Sequence, residues 1–237
     1  MFIKSLVVFL ISFITLVSPK VKAAEGDIYN FNWLDPDKEV YVLQNRKFRK
    51  KGKVHVNGGF GLTTGKAFVD ANVIQGRVGY FFKEEFGFEF LYSKNSGKEN
   101  STAATVRNEG SAGSIPFRRI VQDYAGGMLM WSPFYAKVNT FNKIVYFDWI
   151  IGLGMAKINE ENNREEFLNI GSRSINTPES HTGIMWDTAL KFYINQNVDL
   201  RLDLTGIHYQ ADQAAVSNPT KTWYSNWDLS LSLGYSF

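Results

Sequence analysis

Thr222–Phe237 reads TWYSNWDLSLSLGYSF. Trp223, Trp227, Leu229, Leu231, Leu233, Tyr235 and Phe237 share one parity, broken only by Ser225, while Tyr224, Asn226, Asp228, Ser230, Ser232, Gly234 and Ser236 share the other. Successive side chains of a strand point to opposite faces, so this segment is a strand with one oily face and one wet face. At the end of an exported chain, such a strand suits the closing strand of a transmembrane β-barrel.

The other end of the chain points the same way. Lys4 supplies a short positive region, Leu6 to Val17 is an apolar run, and Val21-Lys22-Ala23 resembles a small-residue cleavage site, so residues 1–23 read as an export signal. The run is too short to cross a bilayer of about 30 Å as a helix. The chain has no cysteine, which excludes a disulfide framework, a lipid-modified cysteine and any thiolate metal site. Mean hydropathy of -0.20 and 21% charged residues would suit a soluble domain, but a barrel averages to such values because half of each strand faces a polar lumen. A net charge of +3, spread along the chain, gives no footprint for nucleic acid.

Residues 24–52 show no sustained period, end in the basic run Arg46 to Lys51, and read as a periplasmic N-terminal segment whose run faces anionic headgroups. Residues 53–237 form the barrel. Eight period-2 segments are expected there: 53–62, 72–82, 86–94, 122–132, 143–157, 181–194, 198–209 and 222–237. The connections 83–85 and 195–197 are short, and 95–121 and 158–180 are long, the asymmetry expected of a bacterial barrel with both ends in the periplasm. The link 133–142 is long for a turn, which keeps ten strands as the alternative to eight.

Which parity touches lipid is settled by charge, because a one-residue shift exchanges the faces of a strand. The apolar set runs through Phe60, Ile74, Val78, Phe88, Phe90, Leu153, Ile184 and Leu202 without a charged residue. The opposite set holds His55, Arg77, Glu89, Asp148, Asp187, Lys191, Asp199, Arg201, Asp203 and Asp228. A basic residue facing lipid at mid-bilayer costs roughly 2–4 kcal/mol, so the charged set points inward. A soluble lipocalin-like barrel would need the reverse. The fourth segment shows no clear face.

Eight strands leave an interior that side chains fill, so these ionisable residues are expected to form a polar network rather than line an open pore. Six acids against three bases leave a deficit for water, His55 or protonated carboxyls to cover. No catalytic residue, metal ligand or cofactor is assigned. The contexts His55-Val56-Asn57, His181-Thr182-Gly183 and His208-Tyr209-Gln210 lack the His-x-Ser pair of lipid A deacylases. Thr63-Thr64-Gly65-Lys66 lacks the first glycine and the hydroxyl residue of a phosphate loop. Arg107, Arg118 and Arg119, beyond the bilayer, are candidate contacts to lipopolysaccharide phosphates.

Leu229, Leu231, Leu233, Tyr235 and Phe237 resemble the terminal signal read by the barrel-assembly machinery. With Val40 to Arg46 and Ser132-Pro133-Phe134-Tyr135-Ala136-Lys137, the chain resembles the small outer-membrane β-barrel domain family of delta-proteobacterial type, with OmpA-, OmpX- and OmpW-like architecture. The resemblance implies the bacterial outer membrane, contact with its lipids and lipopolysaccharide, and the assembly machinery as a transient partner. The expected function is non-enzymatic, structural, adhesive or binding, through the long external loops. A narrow channel for small or hydrophobic solutes and a lipid A-modifying enzyme are the alternatives.

Overall fold

The computed structural model describes residues 46–110, 115–140, 143–168, 176–214 and 220–237. The expected signal segment and most of 24–52 lie outside the described residues. Eight strands follow one another: β1 (Val54–Thr64), β2 (Val69–Phe81), β3 (Phe86–Glu99), β4 (Arg119–Thr140), β5 (Lys143–Asn162), β6 (Thr177–Tyr193), β7 (Val198–Asp212) and β8 (Lys221–Ser236). Helix α1 (Ser101–Glu109) lies between β3 and β4, and α2 (Arg164–Leu168) between β5 and β6.

Every strand pairs antiparallel with its neighbours in sequence, and β8 returns to β1 through Val56↔Tyr235 and Leu62↔Leu229, which closes the barrel. Closure satisfies every edge, the condition for a sheet to sit in hydrocarbon where no water can pair with backbone. Among the described residues no helix is long and apolar enough to cross a membrane.

Among the described residues there are eight strands, not ten, and the long link after residue 132 is mostly strand. Pro133 has no N–H for the ladder, and the β4–β5 register shifts between Trp131 and Phe134; pairing then resumes from Phe134↔Trp149 to Thr140↔Lys143. The resulting hairpin prolongs β4 and β5 at the end of the barrel that carries both strand termini, called the terminal end below. The opposite, loop end holds α1 and α2. Strand extension there shortens the two long connections to 100–118 and 163–176.

The outer face is apolar, with Phe60 and Ile74 both 70% exposed, while the largest buried side chains are Arg77 and Arg201. The fourth strand acquires a face in the structure: Tyr124, Met128 and Met130 point inward, Leu129 and Trp131 outward.

Candidate functional site

The lumen is packed in successive layers. At the terminal end, Gly52, at a positive φ of 78°, turns the chain so that residues 46–51 run across the barrel mouth. Residues of this run alternate: Lys47, Arg49 and Lys51 are exposed, while Phe48 and Lys50 are buried. Phe48 stacks on Tyr193 at 4.7 Å and meets the edge of Tyr146 at 5.4 Å. Lys50 Nζ lies 2.7 Å from Asp148 Oδ2 and donates to Ser132 Oγ at 2.6 Å. Burial pulls the Lys50 ammonium down from its ordinary range against the attraction of Asp148. Glu84 accepts from the backbone N–H groups of Lys50 and Lys51 and lies 3.7 Å from Arg46. The expectation that this whole run faces headgroups is corrected: Arg46, Phe48 and Lys50 belong to the barrel, because acids at the β2–β3 turn and inside the mouth offer closer partners than lipid.

Beside this layer Lys191 pairs with Asp199 at 2.9 Å, and Asn57 Nδ2 donates to Asp199 Oδ1 at 3.1 Å. Gly234 makes room for that bond, since a Cβ there would stand 2.1 Å from Asn57 Nδ2.

The middle layer is a cluster of two guanidiniums and three carboxylates. Arg77 contacts Glu89 at 2.9 Å, Asp187 at 3.1 Å and Asp203 at 3.3 Å. Arg201 contacts Glu89 at 2.6 Å, Asp187 at 3.0 Å and Asp203 at 2.5 Å. Each arginine thus bridges the same three acids, which come from β3, β6 and β7. His55 Nε2 meets Glu89 Oε2 at 2.8 Å, and Thr205 Oγ1 donates to Asp187 Oδ1 at 2.7 Å. Such fork-shaped, charge-assisted contacts suit Arg and not Lys.

Above it, Asp228 is served by neutral donors: Tyr124 OH at 2.8 Å, Thr63 Oγ1 at 2.7 Å, Asn226 Nδ2 at 3.0 Å and Asn95 Nδ2 at 3.2 Å. The apparent charge deficit of the lumen therefore has a composite answer. Lys50 is the cation missing from the sequence reading, His55 leans on Glu89, and Asp228 is held by hydroxyl and amide groups. Lys50 escaped because it precedes the first periodic strand; the deficit itself was the signal.

Charge fills only part of the interior. Met128, Met130, Ile150, Ile158, Met185 and Ile207 form a buried apolar sector with Tyr124 and Tyr209.

The loop end carries two ion clusters. Arg119 pairs with Glu160 and, at 3.0 Å, with Glu179, while His181 Nε2 lies 3.1 Å from Glu160 and 3.3 Å from Glu179. Glu160, Glu179 and His181 have the side-chain chemistry of a metal site, and the Arg119 guanidinium already faces both carboxylates. Further out, Arg107 bridges Glu99 at 2.8 Å and Glu166 at 3.0 Å, and Arg118 pairs with Glu99. Burial pushes the Glu166 carboxyl up, but hydrogen bonds from Arg107 and Asn163 and the charges of Arg107 and Arg118 outweigh it and hold the group below the usual range. The surface role read for the three arginines is corrected here: Arg118 and Arg119 are 8% and 5% exposed, turned onto carboxylates inside the mouth, and only Arg107 stays open to solvent.

One pair was invisible to linear motifs. His208 on β7 and Ser225 on β8 are cross-strand partners on the outer wall, with Nδ1 2.8 Å from Ser225 Oγ. Ser225 is the single break in the apolar parity of β8, and that break was the available signal. Trp186 Nε1 lies 2.9 Å from His208 Nε2. An indole can only donate, so Nε2 accepts and Nδ1 carries the proton toward the serine. A base must take the serine proton, so this tautomer anchors the Trp186–Trp227 aromatic contact rather than activating a nucleophile.

Leu229, Leu231, Leu233 and Tyr235 lie exposed on the outer wall of β8, and Phe237, one residue past its end, is exposed as well.

A closed sheet, oily outside and charged within, defines an integral β-barrel of the membrane. The family model for the outer membrane protein beta-barrel domain matches residues 43–237, and the chain belongs to that family. Its location is the bacterial outer membrane, amid that membrane's lipid and lipopolysaccharide. Among solved structures it is similar to the N-terminal β-barrel domain of Pseudomonas aeruginosa OprF, with 15% identity, 79% of this chain and 98% of that chain covered, and a TM-score of 0.45. It is similar to OprG of the same organism, with 12% identity, coverages of 81% and 99%, and a TM-score of 0.44. Ail, the attachment invasion locus protein of Yersinia pestis, gives 13% identity, coverages of 79% and 99%, and a TM-score of 0.38. No curated protein matches the sequence.

Proposed function

We propose that this chain is a closed, non-enzymatic outer-membrane barrel whose role is structural, adhesive or binding, carried by the β3–β4 and β5–β6 connections on the outer side of the cell. The observation that carries the reading is the middle layer, where Arg77 and Arg201 each reach Glu89, Asp187 and Asp203 across the lumen. Opening a path there would strip partners from buried charges, which costs far more than leaving them paired. With the interior committed to packing, the external connections are what remains to meet a partner. Arg107 and Arg118 tie α1 and α2 to Glu99 and Glu166, so that surface is pre-ordered and loses less freedom on binding.

Planar-bilayer recording of the full chain tests the closed lumen: the expected result is silence. Stable single-channel steps would overturn it in favour of the narrow conduit.

In this reading residues 1–23 are removed on export, the segment from residue 24 lies in the periplasm up to the strap at 46–52, and the barrel follows. The exposed terminal residues Leu229 to Phe237 supply the assembly signal. Deleting Phe237 is expected to leave the chain in the periplasm, measured by cell fractionation; normal insertion of that truncation would count against the signal.

A further inference from the structure

We infer that the terminal mouth carries a binding site for one monovalent anion of halide size, beneath the strap, and that the anion is bound together with a proton on His55. The site lies below the middle layer and is independent of what the external connections meet.

The strap roofs a cavity of about 10 Å³, room for one water-sized particle. Its walls include Arg49 and Lys50 of the strap, Lys53 just past it, His55 on β1, Phe81 on β2 and Lys191 on β6. Among the described residues no carboxylate lines it. The wall is rich in donors, since an ammonium has three N–H bonds to give. Lys50 gives two, to Asp148 and Ser132, while Lys191 gives one to Asp199 and Lys53 one to Gln196 O at 3.1 Å. The remaining N–H groups call for an acceptor at their centre.

His55 narrows the choice of acceptor. The residue is 2% exposed, its Nε2 meets Glu89, and its Nδ1 has no hydrogen-bond partner among the described residues. A ring that gives Nε2–H to Glu89 has two states: a neutral imidazole that accepts at Nδ1, or an imidazolium that donates there. An anion in the cavity can only accept, so its neighbour must be the imidazolium. Glu89 on β3 faces the ring on one side, with Arg77 and Arg201 beyond it; Lys50 and Lys191 face it on the other, and Ser236 on β8 is neutral.

Charge decides between an anion and a water. Lys50 and Lys191 cancel against Asp148 and Asp199, the middle layer carries one acid in excess, and Glu84 and Glu85 exceed Arg46 by one. Against those two negative charges stand Lys47, Arg49, Lys51, Lys53 and Lys83. None of the five has a carboxylate within ion-pair distance among the described residues, so the side chains of this end are net positive by three. A recess lined by one sign of charge concentrates its field on what enters. Space for one water-sized particle admits a halide and excludes a tetrahedral oxyanion.

The test is NMR of the full chain in detergent micelles with labelled histidine rings, titrated with sodium bromide and, at matched ionic strength, with sodium sulfate. Bromide should shift the His55 ring signals saturably and sulfate should not, with His181 and His208 at the far end as internal controls. Because proton and anion enter together, bromide should bind more tightly at about pH 5.5 than at about pH 7.5. Lys53→Gln should weaken binding about fivefold, the worth of one charge pair at about 4 Å in water, and Lys53→Arg should restore it. Lys137→Gln, on the β4–β5 hairpin, should leave it unchanged. A cavity that holds water alone predicts static His55 signals, and that result would sink the site. An equal response to sulfate would do the same, since it would mean ionic strength alone. An affinity indifferent to pH would remove the proton from the account and overturn the proposal. If Lys53→Gln fails to fold, the wild-type titration decides by itself.

Discussion

The two sides of the lumen obey one parity and two chemistries. Around Arg77, Glu89, Asp187, Arg201 and Asp203 the inward side chains are charged and partnered at hydrogen-bond distance. Around Met128, Met130, Ile150, Ile158 and Met185 they are as oily as the outer wall. Both sides exclude bulk water, so an interior position need only be filled and satisfied, and polarity is one way among two of doing so. The charged side gains orientation, because each guanidinium fork fixes three acids. The apolar side gains close packing, with flexible methionines filling the irregular space.

The sharpest way to break this contrast is Arg77→Ala. It leaves Glu89, Asp187 and Asp203 sharing one guanidinium, and a loss of about 3–5 kcal/mol is expected, as for other buried pairs stripped of one partner. The urea midpoint of the heat-modifiable band measures it. A loss no larger than that of an exposed substitution would mean that water, not arginine, satisfies the acids.

A smaller effect is expected on the other side. Met130→Ala should cost about 2–3 kcal/mol by cavity formation, whereas Met130→Leu should cost less than about 1.5 kcal/mol. Equal losses from the two would show that the sector is not close-packed.

The smallest effect concerns the loop end, where charge is nearer to water. Glu166 is held below the ordinary carboxyl range in the folded chain, while its unfolded counterpart titrates near about 4.3. Its stabilising contribution is therefore complete above that pH and is lost as pH falls through the lower folded value. Amide protection factors at α1 and α2, taken against the intrinsic exchange rate at each pH, should fall in acid before those of the barrel strands do. Synchronous loss of protection would mean that the loops and the barrel unfold as one unit.

What could be read from sequence varied around the barrel with these same chemistries. β8 and β3 announced themselves because their inner residues are polar and their outer ones apolar. β4 did not, since Tyr124, Met128 and Met130 face a greasy interior while Leu129 and Trp131 face lipid, and alternation vanishes when both solvents are apolar. The lumen acids and bases were identifiable from the cost of putting charge in hydrocarbon. Their partners were not: Lys50 reaches Asp148 across 98 positions of sequence, by the difference of their numbers, and His208 meets Ser225 only through the β7–β8 register.

The sequence alone determined the barrel, its strand parity and the sign of its two faces, because period-2 alternation and the price of charge in lipid are local properties of each strand. Only the tertiary structure decided which carboxylate each cation meets, that Phe48 and Lys50 seal one mouth, and that Arg118 and Arg119 turn inward at the other. Those outcomes depend on closure and register, which bring together groups far apart in the chain and set each contact by distance rather than by composition.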